Sequence, residues 1–216
     1  ERVSQLRDWN IEFVHGDILN KELIKKYCHD ANIVHHLAGI TDVPRVKSES
    51  SEEKENQIKL VAEEGTQNII DAVNSKCKII MPSSHVVYEG IKVVKTDIGE
   101  NEKTSPVLSY GRSKAYNEDQ LKKSGKNFII LRFGTIYGSS QGMRFHTAVN
   151  KFCWQASMNQ PITVWSTAYD QKRPYLDLVD ASAAIEHIIT NNIFDGRIYN
   201  VLTQNSTVRE VVNSSA

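Results

Sequence analysis

The chain has 216 residues and a mass of 24.4 kDa, enough to bury the core of one large domain or of one domain with a small lobe. Its 26 Lys and Arg balance its 26 Asp and Glu, so the formal net charge is zero. This balance excludes a dedicated nucleic-acid-binding arm, and we expect no nucleic-acid partner. No run approaches the roughly 18 apolar residues of a membrane-spanning helix, and we expect no membrane association.

The cysteines and histidines do not form a ligand pattern. Cys28, Cys77 and Cys153 are widely spaced and include no Cys-x-x-Cys pair, so neither a disulfide framework nor a zinc site is expected. His35 and His36 are adjacent on a predicted strand and therefore face opposite ways. We expect no metal site and, because no signal segment opens the chain, a reduced, cytoplasmic location.

Short apolar runs alternate with longer helical patterns along the chain. Taken in order, strands are predicted at residues 11–15, 33–38, 78–81, 128–131 and 197–201. Helices are predicted at residues 21–29, 52–73, 110–123 and 180–190, and another begins at residue 207. Asn20 is expected to cap the first of these helices, and Asp180 the fourth.

This alternation predicts an α/β fold, a parallel sheet with helices on both faces. Such sheets bind ligands at the carboxyl ends of their strands, so the residues that follow the strands matter most. Small polar residues at 138–142, followed by several aromatic residues, predict a boundary near residue 140. We expect one domain over residues 1–140 and a small lobe over residues 141–216, with the segment near 174–203 returning to the first domain.

Tyr110 and Lys114 are four residues apart at the start of a predicted helix, so their side chains share one face. An ammonium beside a phenol stabilises the phenolate and lowers the tyrosine pKa. Such a tyrosine is a general acid/base for an alcohol or sugar hydroxyl. The same spacing to a cation occurs at Tyr88 and Tyr169, but neither of these heads a helical pattern.

Ser84 follows the predicted strand at residues 78–81. At a strand's carboxyl end its hydroxyl can bind a substrate oxygen beside the tyrosine, and an ordinary turn serine is the alternative that the sequence leaves open. His85 is the histidine best placed to contact a substrate.

Six motifs occur in one order along the chain. They are Gly16-Asp-Ile18, His36-Leu-Ala-Gly39, Ser83-Ser-His-Val-Val-Tyr88, Tyr110-Gly-Arg-Ser-Lys114, Leu131-Arg-Phe-Gly-Thr-Ile-Tyr-Gly138 and Arg173-Pro-Tyr-Leu-Asp-Leu-Val-Asp180. Their order and spacing resemble the extended short-chain dehydrogenase/reductases, in particular the NAD-dependent nucleotide-sugar epimerases and dehydratases of the UDP-glucose 4-epimerase type. The resemblance covers nearly the whole chain.

The resemblance implies a Rossmann-like, doubly wound parallel sheet: a partial dinucleotide-binding domain followed by a partial, truncated substrate-binding lobe. It implies NAD as cofactor and leaves NADP open. The catalytic residues would be Tyr110, Lys114 and Ser84. The cofactor would contact Asp17, Ile18, Leu37, Ala38, Gly39, Tyr110 and Lys114. The nucleotide-sugar substrate would contact Ser84, His85, Thr135 and Arg173.

Some family features are missing or changed. The chain has no Gly-x-x-Gly-x-x-Gly turn after a first strand, so we expect a fragment that binds dinucleotide weakly and is inactive alone. His85 and Val86 stand where dehydratases of the family carry Asp and Glu, which disfavours dehydration. We therefore expect an epimerase that works by transient hydride transfer. The alternatives are a sugar-nucleotide reductase or dehydrogenase and a non-catalytic dinucleotide-binding scaffold.

A homodimer through the helices at 52–73 and 110–123 is expected.

Overall fold

The computed structural model describes residues 2–41, 51–93, 95–145 and 147–215. Its helices are α1 (Arg2–Asp8), α2 (Lys21–Cys28), α3 (Glu52–Ala72), α4 (Ser109–Lys123), α5 (Ala148–Ser157), α6 (Leu178–Thr190) and α7 (Val208–Ser215). Its strands are β1 (Ile33–His35), β2 (Lys78–Ser84), β3 (Asn127–Phe133), β4 (Thr135–Tyr137), β5 (Lys172–Asp177), β6 (Ile198–Val201) and β7 (Gln204–Thr207). Short 3-10 helices lie at His85–Tyr88 and Ser166–Ala168.

The strands form two sheets. The larger has the order β1-β2-β3-β6, and all of its neighbours are parallel. The smaller has the order β4-β5-β7, with β4 parallel to β5 and β5 antiparallel to β7. Only Gly134 separates β3 in the first sheet from β4 in the second. A Cβ atom there would lie 2.9 Å from the main-chain oxygen of Pro174, so the sheets meet where a side chain has no room.

The larger sheet is covered on both faces because its strands are apolar at successive positions. Ile79, Met81 and Ile130 pack with residues of α3 and α4 such as Ile69 and Leu121. The alternate residues Ile80, Ile129 and Leu131 pack with Ala181 and Ile188 of α6. Helices on both faces of a parallel sheet confirm the predicted doubly wound α/β fold.

A separate apolar cluster holds the smaller sheet against its helices. Phe152 of α5, Tyr175 of β5, and Val208 and Val211 of α7 are buried together. The division of the chain near residue 140 remains a prediction, as does the return of the segment near 174–203 to the first domain. No helix of the described ranges is long and apolar enough to span a bilayer.

The structure agrees with the sequence for helices α2, α3, α4 and α6. It differs at residues 11–15 and at the cap of α6, and β1 ends at His35 rather than at residue 38. It also contains α1, α5, β4, β5 and β7, which the sequence did not predict. Residues 11–15, predicted as a strand, form an exposed loop that pairs with no strand in the described part of the chain. Their apolar side chains, Ile11, Phe13 and Val14, resemble those of a strand, but a strand needs a partner for its main-chain groups. The cap of α6 is Asp177, whose carboxylate accepts a 2.8 Å hydrogen bond from the N–H of Val179. Asp180 lies in the first turn and accepts a hydrogen bond from the hydroxyl of Thr203.

Candidate active site

The candidate site lies where the larger sheet ends and α4 begins. His36 follows β1, Ser84 ends β2, and Thr135 follows β3 after Gly134. In a parallel sheet these carboxyl ends lie on one edge. Tyr110 is in the first turn of α4, which packs against β2 and the 3-10 helix after it.

Lys114 connects α4 to β2. Its Nζ atom donates a 2.8 Å hydrogen bond to the main-chain oxygen of Pro82, two residues before Ser84. The same Nζ atom lies 5.8 Å from the centroid of the Tyr110 ring, so the two side chains share a face, as their spacing predicts. Burial lowers the pKa of Lys114 to about 8, and the carboxylate of Glu118 opposes that decrease.

The phenol of Tyr110 differs from expectation. Burial raises its pKa above the ordinary value, and the positive charge of Arg144 only partly opposes the change. The expected decrease in the pKa of Tyr110 is therefore not found in this structure, and the cation that acts against burial is Arg144 rather than Lys114. The reason is physical: a phenolate loses more hydration in a buried position than this arrangement of cations restores.

Ser84 forms the turn that the alternative interpretation predicts. Its Oγ accepts a 3.5 Å hydrogen bond from the N–H of Val86 and so caps the short 3-10 helix. This contact uses only an oxygen lone pair, and the hydroxyl proton can still be donated to another acceptor. Capping and substrate binding by Ser84 are therefore compatible.

His85 is held in one tautomer by the main chain. Its Nδ1 atom lies 3.2 Å from the carbonyl oxygen of Phe133, and a carbonyl can only accept, so Nδ1 carries the proton. The other ring nitrogen, Nε2, is then an acceptor. Burial lowers the pKa of His85, and the positive charge of Arg173 contributes in the same direction. Arg173 also opposes the rise that burial causes in the pKa of Glu89, so Arg173 acts electrostatically on both side chains.

The residues expected to hold the cofactor fall into two groups. Leu37, Ala38 and Gly39 are exposed, and a Cβ atom added to Gly39 would meet no atom within 4 Å. This stretch is therefore an open main-chain surface beside buried His36. Ile18 is half-buried against α3, where Asn68 donates a 2.9 Å hydrogen bond to its main-chain oxygen. Asp17 is exposed, and its carboxylate accepts a 2.9 Å hydrogen bond from the N–H of Leu19.

Two expected substrate residues lie on the smaller sheet. Thr135 begins β4 and pairs with Tyr175 of β5. Arg173 is on β5, and its Nη2 atom donates a 3.0 Å hydrogen bond to the side chain of Gln171. The charge of Arg173 acts on His85, whereas Asp17 and Ile18 belong to the loop before α2.

A buried polar chain beside Lys114 was missed by sequence reasoning. His36 is 4% exposed, and its Nε2 atom lies 2.8 Å from the Thr66 hydroxyl on α3. With the Asn117 amide oriented to satisfy its neighbours, its oxygen accepts a 3.0 Å hydrogen bond from that hydroxyl. His36 therefore donates through Nε2 and keeps a lone pair on Nδ1. Burial, with a smaller effect of Lys114, lowers its pKa to about 4. Thr66 and Asn117 carry no signal in a single sequence.

A metal centre finds no support in the geometry. In the described ranges, no three His, Cys, Asp or Glu side chains are grouped so that they could hold an ion.

Comparison with known proteins identifies the family. The model of the NAD dependent epimerase/dehydratase family matches residues 1–201. The chain belongs to this family. Within it, the chain is 31% identical over 186 residues to CDP-paratose 2-epimerase of Salmonella typhi, which covers 72% of this chain and 53% of that protein. It thus spans about half the length of that curated relative. A shorter match of 36% identity over 69 residues links it to the chloroplastic UDP-sulfoquinovose synthase of Spinacia oleracea, over 31% of this chain and 14% of that protein.

Solved structures of the same kind share the fold. UDP-glucose 4-epimerase of Thermotoga maritima superposes with a TM-score of 0.79 at 19% identity, covering 95% of this chain and 67% of that one. A UDP-glucuronic acid 4-epimerase variant from Bacillus cereus, crystallised with NAD, gives a TM-score of 0.78 at 22% identity, covering 95% and 64%. These likenesses confirm the predicted Rossmann-like fold, and with the family match they confirm the predicted resemblance.

Proposed function

We propose that this protein is an NAD-dependent epimerase of a nucleotide-diphosphate sugar, with Tyr110 as the acid/base. The observation that carries the proposal is the placement of Lys114. Its ammonium is joined to the end of β2 by the 2.8 Å bond to Pro82 and lies 5.8 Å from the Tyr110 ring centroid. A phenol, an ammonium and the Ser84 hydroxyl thus belong to elements that pack at one edge of the sheet.

The open surface at residues 37–39 fits a flat, hydrogen-bonding cofactor. Because Gly39 has no neighbour within 4 Å on its Cβ side, main-chain groups there are accessible to a bound ring. NAD, when bound, supplies the group that accepts and returns a hydride. Leu37, Ala38 and Gly39 would line it, Lys114 would bind its ribose, and Asp17 and Ile18 would face its adenine. NADP is the alternative cofactor.

The role of Tyr110 is to take a proton from a sugar hydroxyl and to return it. Burial keeps the phenol protonated at neutral pH in this structure, because it raises the pKa. The proposal therefore requires a further decrease of that pKa in the working complex. Lys114, whose ammonium lies 5.8 Å from the ring centroid, and Arg144, whose charge already acts against burial, are the cations of this chain that would cause it.

Ser84, His85, Thr135 and Arg173 form the proposed substrate side. The Ser84 hydroxyl donates to the sugar oxygen beside Tyr110, and His85 offers an acceptor at Nε2. Arg173 presents a guanidinium, which suits a pyrophosphate in both charge and shape. His85 and Val86 supply no carboxylate, which disfavours elimination, so epimerisation is favoured over dehydration.

The expected homodimer is proposed to form through α3 and α4. Leu60 on α3 and Tyr116 on α4 are large side chains with 44% and 46% of their surface exposed. We also propose a cytoplasmic location and a nucleotide-sugar substrate of the CDP or UDP class, the two nucleotides found in the names of the curated relatives.

The test incubates the protein at its full natural length with NAD and either CDP-paratose or UDP-glucose, and follows both the sugar stereochemistry by NMR and the absorbance of reduced cofactor. An epimerase inverts one sugar carbon without accumulating reduced cofactor. Tyr110→Phe should lower kcat by at least about 100-fold while the circular dichroism spectrum stays unchanged. Net accumulation of reduced cofactor would instead indicate a reductase or dehydrogenase, and cofactor binding without turnover would indicate a scaffold.

A further inference from the structure

A buried ion pair lies directly behind the candidate active site. The side chains of Glu118 and Arg132 are 1% and 2% exposed. The Nη2 atom of Arg132 donates a 2.6 Å hydrogen bond to Oε2 of Glu118, and its Nε atom donates a 3.0 Å bond to Oε1. The pair is therefore bidentate and connects α4 to the central strand β3.

The carboxylate of Glu118 also contacts the strand that carries Ser84. Its Oε1 atom accepts a 2.6 Å hydrogen bond from the hydroxyl of Ser83, the residue immediately before Ser84. Glu118 is itself one helical turn beyond Lys114. One carboxylate thus links the neighbour of the proposed catalytic serine to the turn that bears the proposed catalytic lysine.

The network continues on the other side of Arg132. Its Nη1 atom donates to the hydroxyl of Tyr88 and, over 3.1 Å, to the main-chain oxygen of Glu100. The Tyr88 hydroxyl in turn donates a 3.1 Å bond to the Asn200 side chain on β6. Tyr88 is the last residue of the 3-10 helix that Ser84 caps, so the ion pair contacts the residue before that cap, Ser83, and the residue at the other end of the helix.

Stability alone gives little reason for such a pair. Removing two charges from water is expensive, and apolar residues of similar volume are often as stable or more stable at such positions. What the pair does provide is a fixed relative position of several segments, because its hydrogen-bond partners lie on different elements of the structure.

We propose that Glu118 is a positioning residue that fixes Ser84 and Lys114 relative to each other by binding Ser83 and Arg132 from the same face of α4. The catalytic importance of this role rests on the proposed function. The attachment of α4 to Ser83 and Arg132 through Glu118 is a property of the chain itself, and it can be measured without cofactor or substrate.

The electrostatic surroundings of Lys114 support a second effect of the same carboxylate. Glu118 is the charged neighbour that opposes the burial-induced decrease in the pKa of Lys114. From the segment after β1, His36 faces Lys114 as a neutral group, because its pKa is lowered to about 4. From β3, the positive charge of Arg132 is compensated by Glu118 itself, and on α4 Tyr110 faces Lys114 as an uncharged phenol. Glu118 therefore helps to keep Lys114 protonated.

The test compares three variants of the protein. Glu118→Gln removes the charge and keeps the shape, whereas Ser83→Ala removes only the link to β2. Asp119→Asn is the matched control, because Asp119 is the next residue on α4 and pairs at the surface with Lys122 at 3.4 Å. Two measurements are made on the protein alone: the pH midpoint of Lys114 acetylation by trace acetic anhydride, and the hydrogen exchange of residues 83–88.

In Glu118→Gln, the midpoint for Lys114 should fall by about one pH unit relative to Asp119→Asn. Ser83→Ala should leave that midpoint unchanged and accelerate exchange at residues 83–88 by about 10-fold. A folded Glu118→Gln with the midpoint of the control would overturn the proposal. If Glu118→Gln does not fold, unchanged exchange in Ser83→Ala overturns it instead. With CDP-paratose or UDP-glucose and NAD, Ser83→Ala should also lower kcat more than it raises KM. If the wild-type protein shows no activity in that assay, the proposed function is contradicted, but the attachment through Glu118 is not.

Discussion

Gly65 of α3 and Ile18 of the loop before α2 fit together so closely that a Cβ atom on Gly65 would lie 2.9 Å from Cγ2 of Ile18. The same loop residue has its main-chain oxygen bound by Asn68, one turn further along α3. The loop proposed to face the adenine is therefore held against α3 by a close contact, which is possible because Gly65 has no side chain.

This contact predicts that the effect of Gly65→Ala on the free energy of unfolding changes sign when Ile18 is also replaced. Gly65→Ala should destabilise the protein by about 1–2 kcal/mol, because the steric conflict outweighs the gain in helix propensity. In an Ile18→Ala background the conflict is gone, and the same change should stabilise by up to about 1 kcal/mol. Urea unfolding of the four proteins measures the cycle. Equal effects of Gly65→Ala in both backgrounds would show that Ile18 is not the obstacle.

His36 predicts a specific loss of stability in acid. Its pKa is lowered to about 4 in the folded protein, below the value of the unfolded chain. The unfolded chain therefore binds the proton first, and the stability contributed by neutral His36 is lost as the pH falls from about 6.5 through 4. The loss is on the order of 3 kcal/mol, since the pKa differs by about 2.5 between the two states and each pKa unit corresponds to about 1.4 kcal/mol.

The measurement is the free energy of unfolding between pH 7 and pH 4 for the wild type and for His36→Gln. The variant should be less stable at pH 7 and should show a shallower decrease toward pH 4. His35→Gln is the control, because His35 is the adjacent residue and is exposed. A His36→Gln protein with the pH slope of the wild type would contradict the assignment.

Replacing Gly39 by Ala is expected to weaken NAD binding without destabilising the fold. Since a Cβ atom there meets nothing within 4 Å, Gly39→Ala should change stability by no more than about 0.5 kcal/mol. If residues 37–39 line NAD, the added methyl should nevertheless weaken NAD binding by about 10-fold. Gly99→Ala, at another glycine with open space around it, is the comparison. Calorimetric titration with NAD gives the affinities, and equal affinities for the two variants would place the cofactor elsewhere.

Local signals in the sequence were sufficient for most helices. Asn20 caps α2 as predicted, with its side chain accepting a 3.1 Å bond from the N–H of Leu23, because a cap and the turn that it serves are adjacent in the chain. The cap of α6 was assigned wrongly because Asp177 and Asp180 both precede an apolar helix and both can cap. The folded structure distinguishes them, because Asp177 accepts a hydrogen bond from the N–H of Val179 whereas Asp180 binds Thr203 from a distant segment.

Within the site, the Tyr110 and Lys114 pair could be predicted because one helix sets its geometry. The family motifs pointed to it as well. Ser83, Glu118 and Arg132 could not be grouped in advance, because their contacts depend on how α4 packs over β2 and β3. The direction of the Tyr110 pKa was also wrong from spacing alone, since burial depends on the whole fold.

The order of strands in the larger sheet has a consequence for how the chain folds during synthesis. β3 pairs on one side with β2, but its other neighbour is β6, and Ile130 faces Ile198 about 70 residues later. At roughly 5–20 residues per second, a ribosome leaves that side of the central strand without its partner for several seconds. Over this interval the side of β3 that later pairs with β6 is an unpaired strand edge with apolar side chains. Chaperone contact during translation would therefore be most useful between the emergence of β3 and that of β6.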